Sequence, residues 1–204
     1  MSKLIAVVGN CGSGKTALAK KLREHYHLLP LLEQHQERPF QARFQSDLKT
    51  HALANQIDYL LFRAEQELSL QGTDRVGITD GGLDQDFHVF TRLFLLKGFL
   101  DDQEYRLCER MYRALRQKLP PPDLMIRLSA PLDVLIRRRA IRTRELDIVT
   151  ADDLGTIEGI IDAWMAENTV PIILFDTAQD DPGYSLTMRP LLSELDNFFS
   201  RPDC

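Results

Sequence analysis

Cysteine is scarce in this chain: Cys11, Cys108 and Cys204 are the only three in 204 residues, and no two share a paired spacing. That argues against a disulfide framework or a cysteine zinc site and for a reducing compartment. Long hydrophobic runs are missing too. No stretch approaches the ~18 apolar residues of a membrane span, and the N-terminal run LIAVV is too short for a signal peptide. Positive charge is in deficit: 25 Lys and Arg against 30 Asp and Glu leave a formal charge of −5. A general affinity for nucleic acid or anionic membrane needs the opposite balance. The histidines His25, His27, His35, His51 and His88 show no metal-ligand spacing supported by acids. Repeats and low-complexity linkers are absent as well. The expectation is a cytoplasmic protein of one domain spanning residues 1–204, long enough for one substantial core.

What is present is an alternation. KLIAVV (3–8) is a continuous apolar run rich in β-branched residues, as expected of a strand buried on both faces. A helical pattern runs from Thr16 to about Tyr26, and HLLPLL (27–32) follows as a second apolar run that Pro30 makes an edge strand or a poor one. Leu53, Ile57, Leu60, Leu61, Ala64 and Leu68 keep helical spacing between Thr50 and Leu70. Then come the strand RVGIT (75–79), a helix from Leu83 to Leu96 capped by Gly98, and a helix from Asp101 to Leu119. A proline-stopped strand within 120–131 precedes an arginine-rich helix, a helix from Asp152 to Glu167, the strand PIILF (171–175) and a last helix. Such alternation predicts an α/β fold: a parallel sheet of about five strands flanked by helices.

GNCGSGKT (9–16) lies between the first strand and the first helix and matches G-x-x-x-x-G-K-[ST]. In that setting Gly9, Asn10, Cys11, Gly12, Ser13 and Gly14 turn backbone N–H groups toward a phosphate chain, with the helix dipole behind them. Lys15 would reach the terminal phosphates of ATP and Thr16 would hold Mg²⁺. The pattern defines a P-loop. In ITDGGLDQDFHVF (78–90), the acid Asp80 ends a strand expected beside the first one. Ligands of parallel sheets sit beyond the carboxyl ends of the strands, so Asp80 would face the same magnesium. It also suits an N-cap for the following helix.

Five further stretches narrow the class. LLEQHQERPFQARF (31–44) places an acid six residues before a Pro-Phe pair, and LANQIDYLLFR (53–63) spaces Gln56 and Arg63 seven apart. DGGLDQDFHVF (80–90) gives Asp80, Asp86 and Phe90; PPPDLMIRL (120–128) leads a strand; RRAIRTRELD (138–147) spaces three arginines and a final acid. In this order, over residues 4 to 176, the chain resembles the deoxynucleoside kinases, salvage enzymes that phosphorylate the 5′-hydroxyl of deoxyribonucleosides.

The resemblance implies roles for the matching positions. Glu33 would be the general base, with Lys15, Arg142 and Arg144 completing the catalytic set. Gln56 would read the nucleobase edge, Phe90 would stack on the base, and Arg63 with Asp86 would pair beside it. Arg138, Arg142 and Arg144 would form a lid over ATP at about 138–147, with Asp147 toward the sugar 3′-hydroxyl. Asp176 opens the loop on which adenine would rest. The resemblance also implies a homodimer through the apolar stripes of the helices Leu53–Leu68 and Tyr105–Leu115.

Each role has a plainer counterpart. Glu33 could be a solvated acid, Gln56 surface, Phe90 core, and Arg63–Asp86 a structural ion pair. The chain also departs from its relatives. Asp80-Gly81-Gly82 stands where they read acid–arginine–serine, and Gln45 where they carry a tyrosine reaching the sugar. The glycines suggest space cleared for a different acceptor or a decayed acceptor site. Two alternatives therefore stand beside a deoxynucleoside kinase. One is a kinase of the same lineage acting on a nucleoside monophosphate or other alcohol; the other is a non-catalytic nucleotide sensor.

Overall fold

The computed structural model describes residues 2–31, 38–141, 148–179, 181, 184 and 187–200. Its centre is a five-stranded parallel sheet in the order β2-β3-β1-β4-β5. The strands are β1 (Lys3–Gly9), β2 (Leu29–Leu31), β3 (Val76–Asp80), β4 (Leu124–Ser129) and β5 (Ile172–Asp176). β1 lies between β3 and β4 and is buried from Leu4 onward, which is why it reads as one apolar run. β2 is an edge strand of three residues centred on Pro30, where a missing N–H removes only an outward bond.

The helices are α1 (Lys15–Tyr26), α2 (Gln41–Ser46), α3 (Leu48–Leu70), α4 (Gly82–Gln85), α5 (Arg92–Leu96), α6 (Asp102–Arg116), α7 (Leu132–Ile141), α8 (Asp153–Glu167) and α9 (Met188–Phe199). Side chains alternate across β1 and divide the core in two. Ile5 and Val7 pack with Leu18 and Leu22 of α1 and Leu191 and Leu195 of α9. Ala6 and Val8 face the other way, toward Phe44, Leu93, Leu154 and Ile161. Burying a side chain of this size contributes about 1.5–3 kcal/mol.

Two stretches differ from the sequence expectation. The helix expected over Leu83–Leu96 is broken in pitch: α4 passes into a π-helical segment, Asp86–Thr91, before α5. The hydroxyl of Thr91 donates to the Asp86 carbonyl at 3.0 Å, binding the wide turn across its i→i+5 span. Second, α2 forms where no helix was foreseen; Phe44, fully buried against Phe94, holds it down. Asp47 ends α2 and caps α3 by accepting from the Thr50 N–H at 3.1 Å.

The apolar stripes of α3 and α6 meet each other. Leu60 and Ala64 pack with Cys108 of α6 and with Leu83 and Phe87. Beside them Arg116 donates to Glu67 and to Asp84, the latter at 2.8 Å, and Tyr112 donates to Asp84 at 2.6 Å. Burial opposes the charge on Arg116, but the two carboxylates outweigh it and hold its pKa above the usual arginine value. Leu61, Leu68 and Leu107 remain exposed on the outer faces of the two helices.

Candidate active site

The P-loop follows from β1 ending at Gly9 and α1 starting at Lys15. It is pinned from several sides. Asn10, buried, donates through Nδ2 to the Leu154 carbonyl and to Glu158 Oε2, both at 2.8 Å, while its Oδ1 accepts from the Cys11 N–H. The Tyr184 hydroxyl donates to the Gly14 carbonyl at 3.1 Å. The Gly9 N–H donates to Gln85 Oε1 at 2.9 Å. These bonds fix the loop, and the first N–H groups of a helix, which have no intrahelical partner, suit an anion at that end. Lys15 reaches back over the loop, donating from Nζ to the Gly9 and Asn10 carbonyls at 2.9 Å each.

Asp80 lies in register with Val7, one strand away from the loop. The Thr16 hydroxyl donates directly to its carboxylate. A hydroxyl and a carboxylate in contact at a phosphate cradle are hard oxygen donors of the kind Mg²⁺ takes. Among the described residues no cluster of three or more His, Cys, Asp or Glu could hold a metal. A cation here would thus take few protein oxygens and complete its shell with phosphate and water, as Mg²⁺ commonly does.

The two glycines after Asp80 are conformational. Gly81 has φ 83° and ψ −73°, Gly82 has φ 81°, and a Cβ on Gly82 would meet Thr79 Cγ2 at 2.9 Å. This backbone turns the chain out of β3 while the Gly81 N–H donates to the Val7 carbonyl at 2.8 Å. Gly81 also lines the cavity that opens from Lys15, Thr16 and Asp80. The side chain of Gln85, 1% exposed, packs 3.6–3.8 Å from where a Gly81 Cβ would stand.

A cavity opens from Lys15, Thr16 and Asp80 and runs to a polar wall made by α3 and the π segment. Gln56, Arg63, Asp86 and Phe90 all line it. Arg63 Nε donates to Asp86 Oδ2 at 2.7 Å, with both side chains under 10% exposed. Gln56 Nε2 donates to the Asp86 carbonyl at 2.9 Å, committing one of the amide's two N–H groups. The wide π turn presents Asp86 and Phe90 to the same cavity.

Other residues on the wall are new to the site: Gln41, Asn55, Tyr59, Gln85, Phe94, Arg139, Ile148 and Val149. The signal for Asn55 and Tyr59 was their place beside Gln56 on α3; for Arg139 it was the arginine run, where Arg138 was favoured. Arg139 donates to the Val149 carbonyl within the cavity wall. Arg138 donates to the Gln179 carbonyl at 2.9 Å, joining α7 to the stretch after β5. Asp176 is exposed at the end of β5, with Oδ1 accepting from the Ala178 N–H at 2.7 Å, away from the main cavity. Gln45 is exposed and does not line the cavity; α2 contributes Gln41 in its place. Glu33, Arg142, Arg144 and Asp147 lie outside the described residues.

A P-loop whose cradle opens into a buried polar cavity is the arrangement of a P-loop nucleotide-binding protein with room for a second ligand beside the phosphates. The family model of deoxynucleoside kinase matches residues 5–187, and the chain belongs to that family. Deoxyadenosine/deoxycytidine kinase of Bacillus subtilis (strain 168) is 24% identical over 152 residues, covering 74% of this chain and 70% of the relative. Deoxyadenosine kinase of Dictyostelium discoideum is 28% identical over 143 residues, covering 70% of this chain and 58% of the relative. Among solved structures, deoxyadenosine kinase from M. mycoides with bound dCTP superposes with a TM-score of 0.82 at 20% identity. That match covers 95% of this chain and 99% of the other. The same enzyme with bound dATP gives 0.80 at 19%, with the same coverage. The chain is a deoxynucleoside kinase, an ATP-dependent phosphotransferase.

Proposed function

We propose that this chain transfers the γ-phosphate of ATP to the 5′-hydroxyl of a deoxyribonucleoside whose base carries an amino group, in nucleotide salvage. The carrying observation is the single cavity that joins Lys15, Thr16 and Asp80 to Gln56, Arg63, Asp86 and Phe90. The names of the relatives, deoxyadenosine, deoxycytidine and deoxyguanosine kinase, support an amino-bearing base. Lys15 and the loop N–H groups hold the phosphates, and Phe90 and the Gln56–Asp86 wall hold the base. Held by Thr16 and Asp80, Mg²⁺ would offset charge on the β- and γ-phosphates. Positioning and charge stabilisation account for most of phosphoryl-transfer catalysis. Arg138, Arg142 and Arg144 serve as the lid, Asp176 borders the adenine, and Asp147 faces the sugar.

The test is a panel of nucleosides and nucleotides incubated with labelled ATP. A labelled 5′-monophosphate of an amino-bearing deoxynucleoside is expected; phosphorylation of nucleoside monophosphates alone would replace this reading. Glu33 takes the proton of the attacking hydroxyl, so Glu33→Gln should keep ATP binding and lower turnover by roughly 10²–10⁴. A change confined to KM would make Glu33 a binding residue.

The protein acts in the cytoplasm as a homodimer in this reading. No described helix is long and apolar enough to cross a membrane. The exposed Leu61 and Leu68 on α3 and Leu107 on α6 are what the dimer would cover. Sedimentation at micromolar concentration should give twice the chain mass, and a monomer there would remove the assignment.

A further inference from the structure

A charged cluster on β4 and α8 lies behind the P-loop, and none of its members lines the main cavity. Arg127, in register with Val8 of β1, donates through one guanidinium nitrogen to Glu158 Oε1 at 3.1 Å and to Asp162. Glu158 and Asp162 are one turn apart on α8 and present their carboxylates on one face. A tie between β4 and α8 needs only one of these acids. Asp162, its side chain 59% exposed, bonds Arg127 and not the loop. Glu158, its side chain 28% exposed, goes further: its second oxygen accepts from Asn10 Nδ2 at 2.8 Å.

Asn10 is buried and engages its whole amide. Its two N–H groups go to the Leu154 carbonyl and to Glu158, and its Oδ1 takes the Cys11 N–H. Leu154 and Glu158 are themselves one turn apart, so α8 offers a two-point seat for a single loop side chain. The backbone carbonyl of Asn10 in turn accepts from Lys15 Nζ. A shift of this one residue therefore carries both the loop and its lysine with it. A carboxylate this near an anion cradle opposes phosphate binding unless its charge is offset, and Arg127 offsets it.

We propose that Glu158 is a positioning residue for ATP: it holds Asn10, and through Asn10 the P-loop, in the conformation that receives the triphosphate. Arg127 holds Glu158 in place from β4. The assignment rests on the reading of this chain as an ATP-dependent phosphotransferase and extends its site to β4 and α8, which no loop motif announces.

Glu158→Ala removes the seat of Asn10 and leaves Asp162 to bind Arg127. Its dissociation constant for ATP, measured by calorimetry with Mg²⁺ present, should rise roughly tenfold, the scale of one lost hydrogen bond to a charged group. The KM for the best deoxynucleoside at saturating ATP should be unchanged. Asp162→Ala, which leaves Glu158 on Asn10, should bind ATP as wild type does. Glu158→Gln keeps an oxygen for Asn10 and should lie nearer wild type than Glu158→Ala. If Glu158→Ala does not fold, Glu158→Met, of similar length and without a strong acceptor, takes its place. Wild-type ATP affinity in Glu158→Ala overturns the assignment, whatever its melting temperature. So does an equal loss of ATP affinity in Asp162→Ala or in Glu158→Gln, because charge in the cluster would then matter and the bond to Asn10 would not. An equal weakening toward ATP and nucleoside also overturns it, since Glu158 would then only tie β4 to α8. A wild type that binds no ATP overturns the phosphotransferase reading, and this assignment with it.

Discussion

Lys15→Ala is expected to abolish phosphoryl transfer while leaving the fold intact. The bonds of Lys15 seen here run from its ammonium to the carbonyls of Gly9 and Asn10, and the residue is only half-buried. The loop does not depend on them for its shape. Asn10 is tied to α8, Gly14 to Tyr184 and Gly9 to Gln85 by other bonds. What the substitution removes is a positive charge placed to meet the terminal phosphates. Loss of one preorganised donor in such a site lowers turnover by about 10²–10³, and here the lost group also carries ground-state binding of ATP. The check pairs product formation from labelled ATP with a thermal melt. A variant that melts like wild type and turns over at the wild-type rate would remove the kinase mechanism.

The parts of this site that were legible in the sequence are those whose chemistry is local. GNCGSGKT specifies its own geometry because glycine spacing, lysine and threonine act within one loop. The position of Asp80 was legible because a buried parallel strand reads as an apolar run, and the residue at its carboxyl end then lies beside the P-loop, where Thr16 bonds it. Pro30 placed β2 at an edge for a similarly local reason.

What escaped needed tertiary information. The π segment leaves no mark in DFHVFT, since one widened turn preserves composition and nearly preserves spacing. Asn55, Tyr59 and Gln85 carry no local mark and join the cavity wall only because neighbouring elements enclose them. The positive φ that Gly81 and Gly82 take at the end of β3 is likewise visible only in the folded chain. The stripes on α3 and α6 pack partly on each other and leave Leu61, Leu68 and Leu107 exposed, a division that spacing alone does not reveal.

The proposed base preference turns on Arg63 and Asp86. Their side chains are 5% and 8% exposed and joined at 2.7 Å. The Asp86 carbonyl is also held by Gln56 and Thr91. Two charges taken out of water are costly unless nearby groups complete their hydrogen bonds. In the proposed site the exocyclic amino group of adenine, guanine or cytosine would do this for the carboxylate; thymine would offer a methyl group and a carbonyl instead. Wild type should therefore prefer deoxyadenosine, deoxyguanosine or deoxycytidine to thymidine. A site built on hydrogen bonds can reject the wrong ligand by on the order of 10⁴, because that ligand strands its buried polar groups. Asp86→Ala should erode this preference more than it lowers affinity for ATP. It should also reduce stability by about 3–5 kcal/mol, the usual consequence of leaving a buried charge without its partner. Asp86→Asn keeps shape and an acceptor, so relative kcat/KM values across the four deoxynucleosides can be read from it in a protein closer to wild-type stability. If thymidine is the best substrate of the wild type, the Arg63–Asp86 pair is a structural bridge, and the base contacts assigned to Gln56 and Phe90 fall with it.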